Sequence, residues 1–350
     1  MSNELIFFSL FIAFITGMLL LDLGIFSKKS HVVPFREALI WTGVWVLLSV
    51  GFYLIIRTHG DLIHGIDSLD KLKAIVSSHQ HPINIEGLDF NTALDVYRKN
   101  LALEYFTGYL IEYALSVDNV FVIIMILLAF NVKQTYYKRV LFWGILGAII
   151  MRFIFIFLSA ALIQQFAWVL YVFGGLLVFT GVRMFLNRNN DEHIETEKHP
   201  IVRFASKHFA VYPKFVKHHF WITKKGKRLM TPLFLVLLVV EFTDVIFAVD
   251  SVPAIFSITQ DPYIVFFSNI FAIIGLRSLF FLLVNVMNTF HYLKIGLSVL
   301  LTFIGAKMIF HHWLKEIGFT TAHSLYIVVG ILALSVILSL IFPKKEVVQS

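Results

Sequence analysis

"EYALSVDNVFVIIM" occupies residues 112–125 and "DVIFAVDSVPAIF" occupies residues 244–256. Both lie in apolar runs long enough to cross a bilayer, yet the first carries Glu112, Asp118 and Asn119 and the second Asp244, Asp250 and Ser251. Aligning Asp118 with Asp250 puts Glu112 on Asp244, because in each stretch the two acids stand six residues apart. Two further matches follow in the same order. "GAIIMRFIFIF" (147–157) aligns with "FAIIGLRSLFFLL" (271–283), setting Arg152 opposite Arg277. "LLVFTGVRMF" (176–185) aligns with "LLTFIGAKMIF" (300–310), setting Gly181 opposite Gly305 and Arg183 opposite Lys307. One match per apolar run, three runs in a row, indicates two copies of a three-helix unit.

The rest of the chain fits this frame. Of 350 residues, 58% are hydrophobic and 15% charged, and the mean hydropathy is +0.82, more apolar surface than a soluble core can hide. The fold class is therefore an all-α polytopic membrane protein. Apolar windows of about 20 residues fall at roughly 5–26, 37–57, 104–130, 139–161, 166–186, 231–259, 263–287, 293–311 and 322–342, which predicts nine spans. The first follows Glu4 with no basic leader and no small-residue cleavage site, so it is expected to be retained as a span. Lys and Arg collect in alternate connections, with ten in 188–229 and none in 162–165 or 260–262. That asymmetry predicts an N-terminus outside and a C-terminus in the cytoplasm. The net charge of +7 is explained by this placement and not by nucleic acid.

The expected organisation is two N-terminal spans (1–58), an extracytoplasmic insert (59–103), a first three-helix repeat (104–187), a basic cytoplasmic loop (188–230), a second repeat (231–312), and a final span with a cytoplasmic tail (313–350). Three spans per copy is an odd number, so the copies must enter the membrane from opposite sides. Inverted repeats of this kind build alternating-access transporters with a binding site near the midplane. The insert carries His59, His64, His79 and His81, and "DSLDKLKAIV" within it predicts a short amphipathic helix. Both histidine-bearing segments, the insert and 188–229, are expected to be solvated connections without a fixed metal site.

A carboxylate at the centre of a span costs roughly 2.5–3.5 kcal/mol even on lenient insertion scales. Five acids, Glu112, Asp118, Glu241, Asp244 and Asp250, occupy two such spans. Basic partners or a bound cation must offset that cost. Arg152 and Arg277 are mid-span candidates for ion pairing, and Arg183 and Lys307 lie nearer helix ends. Purely structural ion pairing is the competing reading for every one of these acids. Carboxylates, the Asn119 amide and the Ser251 hydroxyl are hard oxygen donors, and the chain has no cysteine, so Mn²⁺, Mg²⁺ or Ca²⁺ fit better than zinc or copper. Residues six apart on an ideal helix differ by about 240° in direction, so one cup using both acids of a copy requires an unwound turn. Pro253 is where that turn is expected. Asp22, in the first span, is either an accessory polar group or a structural contact.

The stretches "GYLIEYALSVDNVFV" (108–122) and "EFTDVIFAVDSVPAIF" (241–256), with "LLLDLGIF" (19–26) and "PFREALIWTGVWV" (34–46), resemble the TerC family of integral membrane proteins over nearly the whole chain. The resemblance implies nine spans, an inner-membrane location and, in bacterial members, manganese export. It carries the family's acidic positions onto Glu112, Asp118, Glu241, Asp244 and Asp250. The insert 59–103 is longer than the family pattern leads one to expect.

The resulting expectation is a divalent-cation exporter, Mn²⁺ foremost, with Asp118 and Asp250 as core ligands helped by Glu112, Asp244, Glu241 and Asn119. Arg152, Arg277, Ser251, Lys307 and Asp22 are accessory or ion-pairing groups. No permanently bound cofactor and no enzyme activity are expected. The partners are the transported ion, the lipid bilayer and protons as a coupling ion. The alternatives are a Ca²⁺ or other cation transporter of the same architecture, or a membrane scaffold in metal or tellurite resistance that docks through 188–229. An aspartyl protease would need Tyr-Asp and Gly-x-Gly-Asp settings that "SVDN" and "AVDS" do not supply.

Overall fold

The computed structural model describes residues 3–27, 33–166, 168–186, 211–212, 214–216, 219–224, 227–286, 292–316 and 318–342. The side chains of Asp22 and Asp118 lie outside the described residues, as does most of the basic loop 188–229. Helices α1 (Asn3–Ser27), α2 (Phe35–His59), α4 (Phe90–Ala129), α5 (Gln134–Gln165), α6 (Val169–Leu186), α7 (Pro232–Phe256), the pair α8 (Pro262–Ile274) and α9 (Leu276–Val286), α10 (Leu293–Ile309) and α12 (Thr321–Ile341) overlap the nine apolar windows. Two short helices, α3 (Leu69–Ser78) and α11 (His311–Glu316), lie between them. Among the described residues, six helices are long and apolar enough to cross a membrane, and the α8–α9 pair is a seventh if its two halves form one span. Shorter apolar helical segments, Ile6–Leu19 and Ile295–Ile309, represent the remaining two windows.

Burial sorts these helices into inner and outer ones. The apolar window of α4 is 65% buried within the protein and that of α7 50%, against 33% for α5 and 22% for α2, α6 and α12. The acid-bearing helices α4 and α7 are therefore central, and large apolar side chains such as Leu47, Ile150, Leu158, Phe179 and Leu334 face outward. Aromatic packing closes one end: Phe7 and Phe11 of α1 meet Phe52 of α2 and Phe267 of α8, with centroids 4.4–6.4 Å apart.

Helices α6 and α10 approach closely through glycines. A Cβ on Gly305 would lie 2.6 Å from the Gly174 carbonyl oxygen and 2.7 Å from the Val178 amide nitrogen, and one on Gly181 would lie 2.7 Å from the Ser298 carbonyl oxygen. Small residues permit such contact between membrane helices. The pairings Gly174–Gly305 and Gly181–Ser298 run in opposite directions along the two helices. Under the alignment of Gly181 with Gly305, Gly174 corresponds to Ser298, so the two contacts exchange with one another, as a two-fold relation between halves would produce.

Four sequence-based expectations need correction. The sequence predicts a third span from residue 104, but α4 starts at Phe90, where Asp89 caps it by accepting from the Asn91 and Thr92 amides at 3.1 and 3.2 Å. At 1.5 Å per residue this helix is about 60 Å long, twice the hydrocarbon thickness, so its first turns stand outside the membrane. The seventh window is not one straight helix; it bends by 41° at Gly275, against which Trp45 packs. Pro253 does not unwind α7. It sits in the last turn, where a missing N–H removes one bond near a helix end, and its carbonyl still accepts from Ser257 N–H at 3.1 Å.

The insert, finally, is not a solvated connection. It forms a 3₁₀ turn at Gly60–Ile63 and the predicted amphipathic helix α3, and Ile63, Ile66, Leu72 and Ile85 are buried in the main core. Its apolar side chains alternate too irregularly to reveal that burial from sequence. Residues 221–224 and 227–230 form a small antiparallel hairpin, Trp221 opposite Met230, at the end of the basic loop.

Candidate functional site

The repeated acids lead to a buried polar centre between α4, α5, α7 and α8. Glu112 is fully buried on α4 and forms an ion pair with Arg152 of α5, itself 1% exposed. The same guanidinium donates from Nη1 to Asn269 Oδ1 of α8 at 2.6 Å and places Nη2 3.9 Å from Asp244 Oδ1 of α7. Ser116, one turn along α4, donates to Glu112 Oε1 at 3.4 Å. Two carboxylates thus share one guanidinium. Glu112 Oε2 and Asp244 Oδ2 are buried without a hydrogen-bond partner in the protein, which leaves acceptor capacity that water, a proton or a cation can fill.

The other predicted residues do not all converge on this centre. Asp250, two turns beyond Asp244, accepts from Thr180 Oγ1 of α6 at 3.2 Å. Glu241 lies against Gly147 of α5 so closely that a Cβ there would overlap its carboxylate. Ser251 and Asn119 are buried, and the Ser251 hydroxyl has no partner. Arg277 is buried just past the bend at Gly275. Lys307, in the last turn of α10, lines a cleft together with Glu104, Thr259 and Gln260, away from Arg152. Among the described residues, Glu112 and Asp244 meet at Arg152, while Asp250, Glu241, Ser251 and Asn119 make no hydrogen bond or ion pair with that group. Continuous helices hold acids six residues apart on different faces, and Asp118 lies outside the described side chains.

A second polar cluster joins the insert to the turn between α7 and α8. His64 Nε2 lies 2.7 Å from Asp261 Oδ2, and the Asp261 Oδ1 caps α8 through the Tyr263 amide at 3.0 Å. Glu104 is fully buried and accepts from His81 Nδ1 at 2.9 Å, Asn100 Nδ2 at 2.6 Å and Thr259 Oγ1 at 2.6 Å. Burial works against ionisation of Asp261, but the adjacent His64, with His79 and His81 beyond, overcomes it and holds the carboxyl below the ordinary range. Burial likewise opposes charge on His81, and Glu104 outweighs it, raising the imidazole.

The TerC family of integral membrane proteins has a sequence profile that matches residues 97–347, a span that contains both acidic stretches and every residue of the buried centre. The chain belongs to the TerC family. An uncharacterized membrane protein of Myxococcus xanthus is 42% identical over 331 residues, covering 95% of this chain and 91% of its own. A protein of Escherichia coli K12 named "Putative membrane-bound redox modulator Alx" is 39% identical over 331 residues, covering 92% and 90%. An uncharacterized membrane protein of Rickettsia bellii is 35% identical over 340 residues, covering 97% and 98%. No solved structure matches the chain.

Within this TerC chain, sequence reasoning missed Asn269, Thr180, Glu104 and Asp261. Asn269 left a signal: an amide inside "VFFSNIFAII" (265–274) has no partner in lipid and must face protein. Thr180 left none, because threonine satisfies its own hydroxyl on the preceding helical turn in many apolar helices. Glu104 and Asp261 sat at the edges of predicted spans, where carboxylates are ordinarily solvated.

Proposed function

We propose that this TerC protein exports a divalent metal cation, with Mn²⁺ the best match, by alternating access between two inverted three-helix units in the inner membrane. The single observation that carries the reading is the acid excess at the buried centre, where Glu112 and Asp244 share the Arg152 guanidinium as their ion-pair partner among the described residues and each keeps a carboxylate oxygen without a partner there. A structural ion pair needs one acid per base. The second carboxylate and the unused oxygens supply hard donors, beside which Asn269 presents its amide to the same guanidinium, a donor set that favours Mn²⁺, Mg²⁺ or Ca²⁺.

Arg152 has a defined part in this reading. It holds the carboxylates together while the ion is absent and lowers the cost of burying them. An arriving dication competes with it for Glu112. Asp250, beside Thr180, and Glu241, against Gly147, flank the centre along α7 and serve as ligands on the approach or release path. Moving two positive charges outward against about 100 mV costs about 4.6 kcal/mol, so carboxylates that exchange the ion for protons on the outer side provide the coupling. The N-terminus outside and the C-terminus in the cytoplasm complete the topology. The E. coli relative's name points to redox modulation, but this chain has no cysteine with which to exchange disulfides.

The test is total cellular manganese after a manganese load, in cells producing wild type, Glu112→Gln, Asp244→Asn, Asp118→Asn or Asp250→Asn at equal membrane levels. Lower manganese with wild type alone supports the reading. Equal manganese in all strains, with or without a change in calcium or magnesium, removes Mn²⁺ as the cargo.

A further inference from the structure

The insert's histidines and the α7–α8 turn come together in a way that the transport reading does not use. One ligating atom each from His64, His79 and Asp261 lie within 4.8 Å of one another, with His64 and Asp261 buried and His79 half-buried. Two of these residues come from the insert and the third from the turn 197 positions after His64. Solvated connections do not converge in this way. His79 Nδ1 is buried and has no partner.

A second observation lies one ring further on. His81 is fully buried, its centroid is 6.0 Å from that of His79, and its Nε2 has no partner. Its other nitrogen is fixed by Glu104, which is in turn fixed by Asn100 and Thr259. A carboxylate bound to one imidazole nitrogen while the other stays open is the arrangement that orients histidines toward metal ions. An unpaired imidazole nitrogen in a protein interior is otherwise costly.

We propose that His64, His79 and Asp261 form a binding site for a divalent transition-metal ion, with His81 as the fourth group at its edge. Two imidazoles and one carboxylate suit the borderline ions from Mn²⁺ to Zn²⁺, and not Ca²⁺ or Mg²⁺. Bonds of about 2.0–2.2 Å in tetrahedral geometry place ligand atoms roughly 3.4 Å apart, so the His64–Asp261 contact of 2.7 Å opens by less than 1 Å on binding. The bound ion ties the insert to the turn that starts α8. It holds in place the extracytoplasmic cap over α4 and α8. This site is separate from the buried centre and does not depend on transport.

The experiment is Co²⁺ titration of the purified full-length protein in detergent, read by visible ligand-field bands and by nitrogen couplings in pulsed electron paramagnetic resonance, with Zn²⁺ as competitor. It is repeated in an Asp244→Asn background, which disables the buried centre while leaving the Glu112–Arg152 pair intact. We expect one nitrogen-coordinated Co²⁺ in both, displaced by Zn²⁺, with affinity reduced about tenfold or more in His79→Ala and unchanged in His59→Ala. His79 is half-buried, so the variant retains its fold, checked by an unaltered metal-free melting curve. Hydrogen exchange across 59–89 slows with metal in wild type and not in His79→Ala. Absence of nitrogen coupling in wild type, an unchanged band in His79→Ala, or loss of the band only in the background variant each overturns the proposal.

Discussion

Arg152 of α5 reaches Glu112 on α4 and, with its other terminal nitrogen, comes within 3.9 Å of Asp244 on α7, so one guanidinium bridges the two acids that the sequence alignment matches. Removing one partner from a buried ion pair strands the other charge at a cost of about 3–5 kcal/mol. Arg152→Gln should therefore lower the melting temperature in detergent markedly. Adding Glu112→Gln should recover part of the loss, giving a coupling energy of about 0.5–3 kcal/mol. Strictly additive variants would show that the pair is not a unit.

Glu241 can be displaced without touching it. A Cβ at Gly147 overlaps its carboxylate, which is the far end of a flexible side chain and can swing aside. Gly147→Ala should preserve folding yet reduce manganese efflux as far as Glu241→Gln does. In Glu241→Ala, where no carboxylate remains, the added methyl should have no further effect. Normal efflux by Gly147→Ala would show that the position of Glu241 is immaterial.

Close helix contact makes a sharper stability prediction. The methyl of Gly305→Ala meets Gly174 and Val178 main chain at 2.6–2.7 Å, which cannot yield without moving α6 from α10. Overpacking of this kind costs about 1–3 kcal/mol. Gly175→Ala, one residue from Gly174 but with nothing within 4 Å of the new methyl, should be neutral. Thermal unfolding of the two variants side by side is the check.

The start of α4 gives a pH prediction. Bonds from the Thr92 hydroxyl and amide, with that of Asn91, hold the Asp89 carboxyl below its ordinary 3.8. The depressed value means that the cap contributes fully above the unfolded pKa and fades as pH falls through the folded one. Wild type should therefore lose the cap's contribution as pH falls through the folded value, while Asp89→Asn shows no such pH dependence; Asp89→Ala should melt below wild type near neutrality. Identical melting of all three at pH 7 would contradict the cap's contribution.

Sequence carried the helices and the buried centre for identifiable reasons. Charges are so costly in lipid that Glu112, Asp244 and Arg152 stood out against their apolar surroundings, and their matched spacing paired the two copies. Asp250 and Glu241 were visible as acids, but their directions were not, because the expected break at Pro253 does not occur. The His64–Asp261 contact was illegible. It depends on how 59–89 folds back over α4 and α8, and no local pattern encodes a meeting between positions so far apart. Asp261 itself read as an ordinary turn residue before Pro262, since capping and ligation call for the same carboxylate.

The most direct measurement is Mn²⁺ flux into liposomes containing the purified protein, followed by a fluorescent indicator inside, with and without an imposed pH gradient. The expected result is uptake by wild type that accelerates when the Mn²⁺-receiving compartment is the more acidic one, and uptake indistinguishable from empty liposomes with Asp244→Asn. Equal flux through wild type and Asp244→Asn would contradict a transport site at the Glu112–Asp244 centre.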